Sequence, residues 1–126
     1  MTVLLAEDDL DDQELLAEAF SEIDPSIRLI PFTNGRKFLS YLDALPEVPD
    51  MVVLDYNIPE MNGAEILRHL QKDRRYQSIT KLVWSTSDSS HYERSCLALG
   101  AKAYLIKPTN VSGLAKLAQR MVSFID

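Results

Sequence analysis

The sequence predicts a doubly wound α/β fold, an open parallel sheet of five strands with five helices on its faces. Three observations carry the prediction. Short apolar runs alternate with amphipathic stretches throughout the 126 residues, as they do in βα units. Three of the five apolar runs are almost continuously hydrophobic, which is how a strand covered on both faces reads. No internal repeat, low-complexity tract or Gly/Ser linker divides the chain, so residues 1–126 are expected to form a single domain.

The first strand is "TVLLA" (2–6). The first helix places Leu15, Leu16, Ala19, Phe20 and Ile23 on one face and closes before Pro25. "IRLIPF" (27–32) is the second strand, and a helix follows "TNG" with Phe38, Leu39 and Leu42 turned inward. "MVVLD" (51–55) is the third strand, and after Gly63 a third helix carries Ile66, Leu67 and Leu70. "KDRR" at 72–75 reads as a solvated loop. "KLVWS" (81–85) is the fourth strand, followed by a helix from about Ser89 to Leu99 that Gly100 stops. "AYLIK" (103–107) is the fifth, and the last helix aligns Val111, Leu114, Ala118, Met121, Val122 and Ile125 in one stripe. Right-handed crossovers leave few topologies for such a chain. The common one at this size is the flavodoxin-like order 2-1-3-4-5, whose switch point lies between strands 1 and 3.

Composition excludes several classes. The chain is 46% hydrophobic and 25% charged, ordinary for a soluble domain. No apolar run approaches the roughly 20 residues of a membrane helix, and no secretory leader is present, so a cytoplasmic location is expected. The net charge of −6, with 13 Lys+Arg against 19 Asp+Glu and no basic cluster, argues against nucleic acid. A single cysteine, Cys96, rules out an internal disulfide and a multi-cysteine zinc site, and its setting "RSCLALG" makes it a buried helix residue. Neither His69 nor His91 has ligand spacing, and His91 is expected in solvent.

In open α/β sheets ligands bind outside the carboxyl ends of the strands, at the switch point. Strand 1 ends in Glu7 and Asp8 and strand 3 in Asp55, so the predicted order gathers three carboxylates there. Strand 4 brings Ser85 and strand 5 brings Lys107 to the same rim. Packed carboxylates repel one another and hold their protons unless a cation sits among them. A hard, oxygen-seeking ion such as Mg2+ fits that requirement. With the metal and Lys107 offsetting its charge, a carboxylate can attack a phosphoryl group and form an aspartyl phosphate. Asp55, on the central strand between the acid pair and the lysine, is the best acceptor. The chain runs straight from its first strand into six acids, Glu7, Asp8, Asp9, Asp11, Asp12 and Glu14. Glu7 and Asp8 read as the site, whereas Asp9, Asp11, Asp12 and Glu14 read as acids that stabilise the start of a helix.

With these residues in order, the chain resembles the receiver domain of two-component response regulators over essentially its whole length. It looks most like the stand-alone type, chemotaxis-like or phytochrome-associated. The resemblance is carried by "LLAEDD", "VVLDYNIPEMNG", "VWSTS" and "GAKAYLIKP", with Ser85 30 residues after Asp55 and Lys107 22 after Ser85. It implies that Asp55 is the phosphoacceptor and that Asp8 and Asp55 contact Mg2+ directly. Glu7 would act through water, and Asn57 would offer its backbone carbonyl. Ser85 would be the switch hydroxyl, Lys107 would pair with the phosphate, and Tyr104 would be the switch aromatic that swings inward. Lys107–Pro108 matches a bond that is usually cis in the family, which an X–Pro bond permits.

The family further implies a phosphohistidine donor on a sensor histidine kinase or a histidine phosphotransfer protein. Output would pass through the face of helix 4, strand 5 and helix 5, to a downstream protein partner, a homodimer or onward phosphotransfer. No output domain is expected. Such a protein catalyses only its own phosphorylation and dephosphorylation. Glu7 stands where aspartate is more common, Thr86 stands where smaller residues are frequent, and Trp84 beside the switch residue is unusual. Two other classes share these features in part. A Mg2+-dependent phosphohydrolase would want a cap insertion, for which the short connections leave little room. A phosphorylation-independent adaptor would have no need of Glu7, Asp8, Asp55, Ser85 and Lys107.

Overall fold

The computed structural model describes residues 1–125. It contains β1 (Thr2–Ala6), α1 (Leu10–Ile23), β2 (Arg28–Phe32), α2 (Gly35–Ala44), β3 (Met51–Asp55) and α3 (Gly63–Gln71). β4 (Thr80–Ser85), α4 (Ser90–Ala98), β5 (Ala103–Ile106) and α5 (Val111–Ser123) follow. The five strands form one parallel sheet in the order β2-β1-β3-β4-β5, as the alternation of apolar runs predicts.

The helices cover both faces and make two cores. On one, α2, α3 and α4 bury Phe38, Leu42, Ile66, Leu67, Leu70 and Cys96 against Leu4, Val52, Leu54 and Val83. On the other, α1 and α5 bury Leu16, Phe20, Leu114, Ala118 and Met121 against Val3, Leu5, Val53, Leu82 and Trp84. Burial on both faces is why β1, β3 and β4 are hydrophobic at nearly every position, while β2, at the sheet edge, is half exposed. Burying an aliphatic side chain of this size contributes about 1.5–3 kcal/mol, so these two layers carry most of the stability.

Side chains set the helix starts. Asp9, Asn34, Asn62, Ser89 and Asn110 each accept a backbone N–H of the first turn of α1, α2, α3, α4 and α5, and at α3 Glu65 returns the bond to complete a capping box. Gly100 ends the fourth helical segment with φ +101°, a conformation that costs a residue with a Cβ.

Three expectations need correction. Leu15, Ile23 and Val111 were assigned to buried faces but are 39%, 36% and 72% exposed. All three lie at the rim of the α1–α5 layer, and helical periodicity cannot say how wide the buried stripe is. The "KDRR" stretch is not wholly loop, since Arg74–Tyr76 forms a 3-10 turn capped by Asp73. The Lys107–Pro108 bond is trans, the form an X–Pro bond prefers where nothing enforces the other. Tyr104, named as the switch aromatic, is packed inward and 8% exposed.

Candidate functional site

The ends of β1 and β3 lie side by side, with Ala6 in register with Leu54, so the next residues, Glu7 and Asp55, meet at the rim. Backbone bonds carry the sheet past its last residues: Glu7 N–H donates to Phe32 O (2.9 Å), Tyr56 N–H to Trp84 O (3.3 Å) and Lys107 N–H to Ser85 O (2.8 Å). The site therefore stands on continuations of β-strands, which hold it more rigidly than free loops would.

Its centre is the Lys107 ammonium. Nζ lies 2.7 Å from Glu7 Oε1, 2.9 Å from Asp55 Oδ2 and 3.0 Å from Asp12 Oδ2. Glu7 is fully buried, and its second oxygen accepts the Asp9 N–H (3.0 Å). Asp55 is 6% exposed, and its Oδ1 accepts the Asn57 N–H (2.9 Å). Burial pushes the Glu7 carboxyl well above the ordinary carboxylate range, with the Lys107 bond and the Asp9 N–H opposing it and the nearby Asp55 charge adding to it. For Lys107, burial disfavours the charge, but its hydrogen bonds to Glu7, Asp55 and Asp12 together outweigh that and hold the amine above its usual value. One ammonium thus serves three carboxylates, and the rim is short of positive charge.

The donor set tests whether a divalent cation fits there. One carboxylate oxygen from each of Glu7, Asp8 and Asp55 lies within 4.8 Å of the others, and Asp8 is exposed, so the cluster opens to solvent on one side. Three carboxylate oxygens with access for water match what Mg2+ requires. One oxygen of Glu7 accepts the Asp9 N–H and both oxygens of Asp55 have partners, which leaves the exposed Asp8 with the freest lone pairs.

Ser85 is fully buried, and its Oγ accepts the Ser87 N–H (3.1 Å). The Tyr104 hydroxyl donates to Ser87 O (2.7 Å), so the strand-5 aromatic is tied to the loop that follows Ser85. Tyr56, next to Asp55, stacks on Tyr92 of α4 with ring centroids 4.2 Å apart and 15° between planes. The structure thus brings Glu7, Asp8, Asp55, Asn57, Ser85 and Lys107 to one rim and places Tyr104 directly behind it.

The sequence reading missed Asp12. It was assigned with Asp9, Asp11 and Glu14 to the helix end, a role that Asp9 does fill by accepting the Asp12 N–H (3.1 Å). Side chains on a helix lean toward its N-terminus, so an acid in the first turn after β1 leans back toward the strand ends. That was the available signal. Trp84, the unusual neighbour of Ser85, is buried in the core, and its ring also lies 4.8 Å below the Lys107 ammonium.

The family model of the response regulator receiver domain matches residues 3–119. The chain belongs to that family. The receiver is similar to the two-component response regulator ORR5 of Oryza sativa subsp. japonica, 30% identical over 95 residues, which is 75% of this chain and 70% of that protein. Its fold superposes on the phosphorylated cyanobacterial phytochrome response regulator RcpA with a TM-score of 0.90 at 26% identity, covering 98% of this chain and 91% of that one. The Mn2+-bound form of response regulator Rcp1 follows with a TM-score of 0.87 at 26% identity, over 98% of this receiver and 92% of Rcp1. Among the described residues no helix of the receiver is long and apolar enough to cross a membrane.

Proposed function

We propose that this receiver is a phosphorylation-dependent switch that takes a phosphoryl group onto Asp55 from a phosphohistidine of a sensor histidine kinase or a histidine phosphotransfer protein. The observation that carries this reading is the Asp55 carboxylate, 2.9 Å from the Lys107 ammonium and within 4.8 Å of the Glu7 and Asp8 oxygens. A carboxylate so placed is a poor base but a usable nucleophile, because the charge that develops on the transferring group meets fixed cations. An Asp55 oxygen bonds to phosphorus as the histidine N–P bond breaks, and the histidine nitrogen keeps the electron pair.

Asp8 and Asp55, with the backbone carbonyl of Asn57 and with Glu7 through water, would hold Mg2+. When bound, the ion supplies charge for the phosphoryl oxygens, and the Mn2+-bound form of the similar Rcp1 supports a divalent cation here. Lys107 stays at the rim to pair with the phosphoryl group. Ser85, whose Oγ accepts the Ser87 amide, donates its O–H to a phosphoryl oxygen and moves toward it, and Tyr104, bonded to Ser87 O, responds to that loop. A change of charge at Asp55 thereby biases the face formed by α4, β5 and α5. That face exposes Leu97 (43%) and Ile106 (45%), apolar side chains suited to a protein partner or a second copy.

Incubation with acetyl phosphate and Mg2+, followed by intact mass, tests the reading. One phosphoryl group is expected in the native protein and none in Asp55→Asn or in the presence of a chelator. A folded protein that takes up none, with a non-hydrolysable phosphoryl mimic also failing to bind, would favour a phosphorylation-independent adaptor. Turnover of small phosphoesters would favour a hydrolase.

A further inference from the structure

An ammonium has three N–H donors; in this receiver Lys107 hydrogen-bonds Asp55 and Asp12 and lies 2.7 Å from Glu7 Oε1, an ion pair without hydrogen-bond geometry. Two of these carboxylates belong to the rim of the sheet. Asp12 does not, because it comes from the first turn of α1 and is not needed to gather the cation cluster. Two of the three Lys107 donors are thus committed to carboxylates, and a phosphoryl oxygen that takes the place of Asp12 must displace it.

The floor of the same seat is Trp84. Its indole is 1% exposed, and its Nε1–H has no hydrogen-bond partner among the described residues. A buried unpaired N–H is a cost that phenylalanine or leucine would not carry. What the indole provides in return is its face, 4.8 Å from the Lys107 ammonium, and indole is the strongest aromatic partner for a cation. Trp84, Asp12 and Lys107 also line a solvent-open pocket of about 280 Å³ together with Pro108, Asn110 and Leu114. The lysine thus has a built resting place, part aromatic and part acidic.

We infer that Asp12 and Trp84 are positioning residues that hold Lys107 in this resting place, and that Asp12 acts as a brake on phosphorylation by competing with the phosphoryl group for the ammonium. The brake rests on the proposed roles of Asp55 and Lys107, whereas the resting place stands on geometry alone. Asp12 is partly exposed, 32% at its side chain, so its grip is moderate. Its removal is worth roughly a three- to fivefold change in rate, the range of an ion pair this exposed.

The test uses the protein's single tryptophan as reporter. Emission of Trp84 is recorded without donor in the native protein, in Asp12→Asn and in Asp12→Glu, and phosphorylation by acetyl phosphate with Mg2+ is then followed by intact mass. Circular dichroism confirms that each variant is folded. Asp12→Asn should shift the emission before any donor is added, because the ammonium over the ring loses a carboxylate. It should also take up the phosphoryl group roughly three to five times faster. Asp12→Glu, which keeps the charge, should stay nearer the native rate. Unchanged emission in folded Asp12→Asn overturns the resting place, and an unchanged or slower rate overturns the brake. If the native protein takes up no phosphoryl group, the proposed function and the brake fall together, and the emission comparison alone decides the resting place.

Discussion

Substituting alanine at Gly63 and at Gly100 separates two uses of glycine in this fold. A Cβ built at Gly63 would lie 2.9 Å from Asp55 O and 3.1 Å from Tyr56 Cα, backbone atoms of the acceptor segment that have no flexible end to yield. The closer contact falls 0.5 Å short of the 3.4 Å at which ordinary contact begins, so α3 and the Asp55 backbone must separate by about that much. Overpacking of this kind costs about 1–3 kcal/mol. With an unfolding entropy of about 2.1 cal/mol/K per residue over 126 residues, that lowers Tm by roughly 4–11 °C. The same displacement moves the nucleophile relative to Lys107, and since a 1 Å misplacement can cost about a hundredfold, a half-ångström shift is expected to slow acetyl phosphate uptake about tenfold. At Gly100 nothing lies within 4 Å of the added Cβ, but φ is +101°. Alanine there costs about 1–2 kcal/mol in backbone strain, a comparable loss in Tm, with uptake unchanged. Thermal melts and single-turnover mass spectrometry read both quantities. The reasoning is refuted if Gly63→Ala keeps the native Tm and rate, or if Gly100→Ala slows uptake as much as Gly63→Ala does.

Two further outcomes follow from the charges and the core. If the folded carboxylates and not the unfolded chain bind Mg2+, as proposed, each tenfold rise in free Mg2+ above its Kd should add about 1.4 kcal/mol, or about 5 °C in Tm for a chain of this length, at constant ionic strength. Asp8→Ala should flatten that slope, and a slope that survives it would remove Asp8 from the metal site. Cys96 is fully buried, and burial pushes its thiol up to about 11. It should resist iodoacetamide at pH 8 until the protein unfolds, and rapid alkylation of the native protein would contradict the burial. Because the folded state holds this proton more tightly than the unfolded one, the stability it contributes is complete below pH 9.0 and is lost as pH rises toward 11. Cys96→Ala should lose less stability than the native protein over that interval.

The fold was legible because each strand is a separate apolar run with helix-stopping residues between, such as Pro25 and Gly100. The convergence of Glu7, Asp8, Asp55, Ser85 and Lys107 followed from strand order alone, since all of them end strands or directly follow them. What periodicity could not show was how far a buried face extends, hence Leu15, Ile23 and Val111. Nor could it separate acids that only cap a helix from one that reaches across to another strand's lysine, as Asp12 does from 95 residues away in sequence. Lys81 shows the same limit. It reads as a polar strand start, yet it is 8% exposed with its ammonium on Ile79 O, a partner supplied by the turn before it.

The segment after β4 repays a closer look. Ser85 Oγ accepts the Ser87 amide, Ser87 Oγ accepts the Ser89 amide (3.2 Å), and Ser89 Oγ accepts the Tyr92 amide (3.3 Å). Every second residue fastens the next, from the bottom of the site to the first turn of α4. Such a ladder has no reserve, because each rung is a single local bond close to solvent, and its opening free energy is set by its weakest member. A movement of Ser85 that carries its Oγ away from the Ser87 amide therefore undoes the chain from its anchored end. The Ser87, Ser89 and Tyr92 amides then belong to one exchange unit, whose protection against deuterium follows the occupancy of Ser85 and not the global stability of the domain.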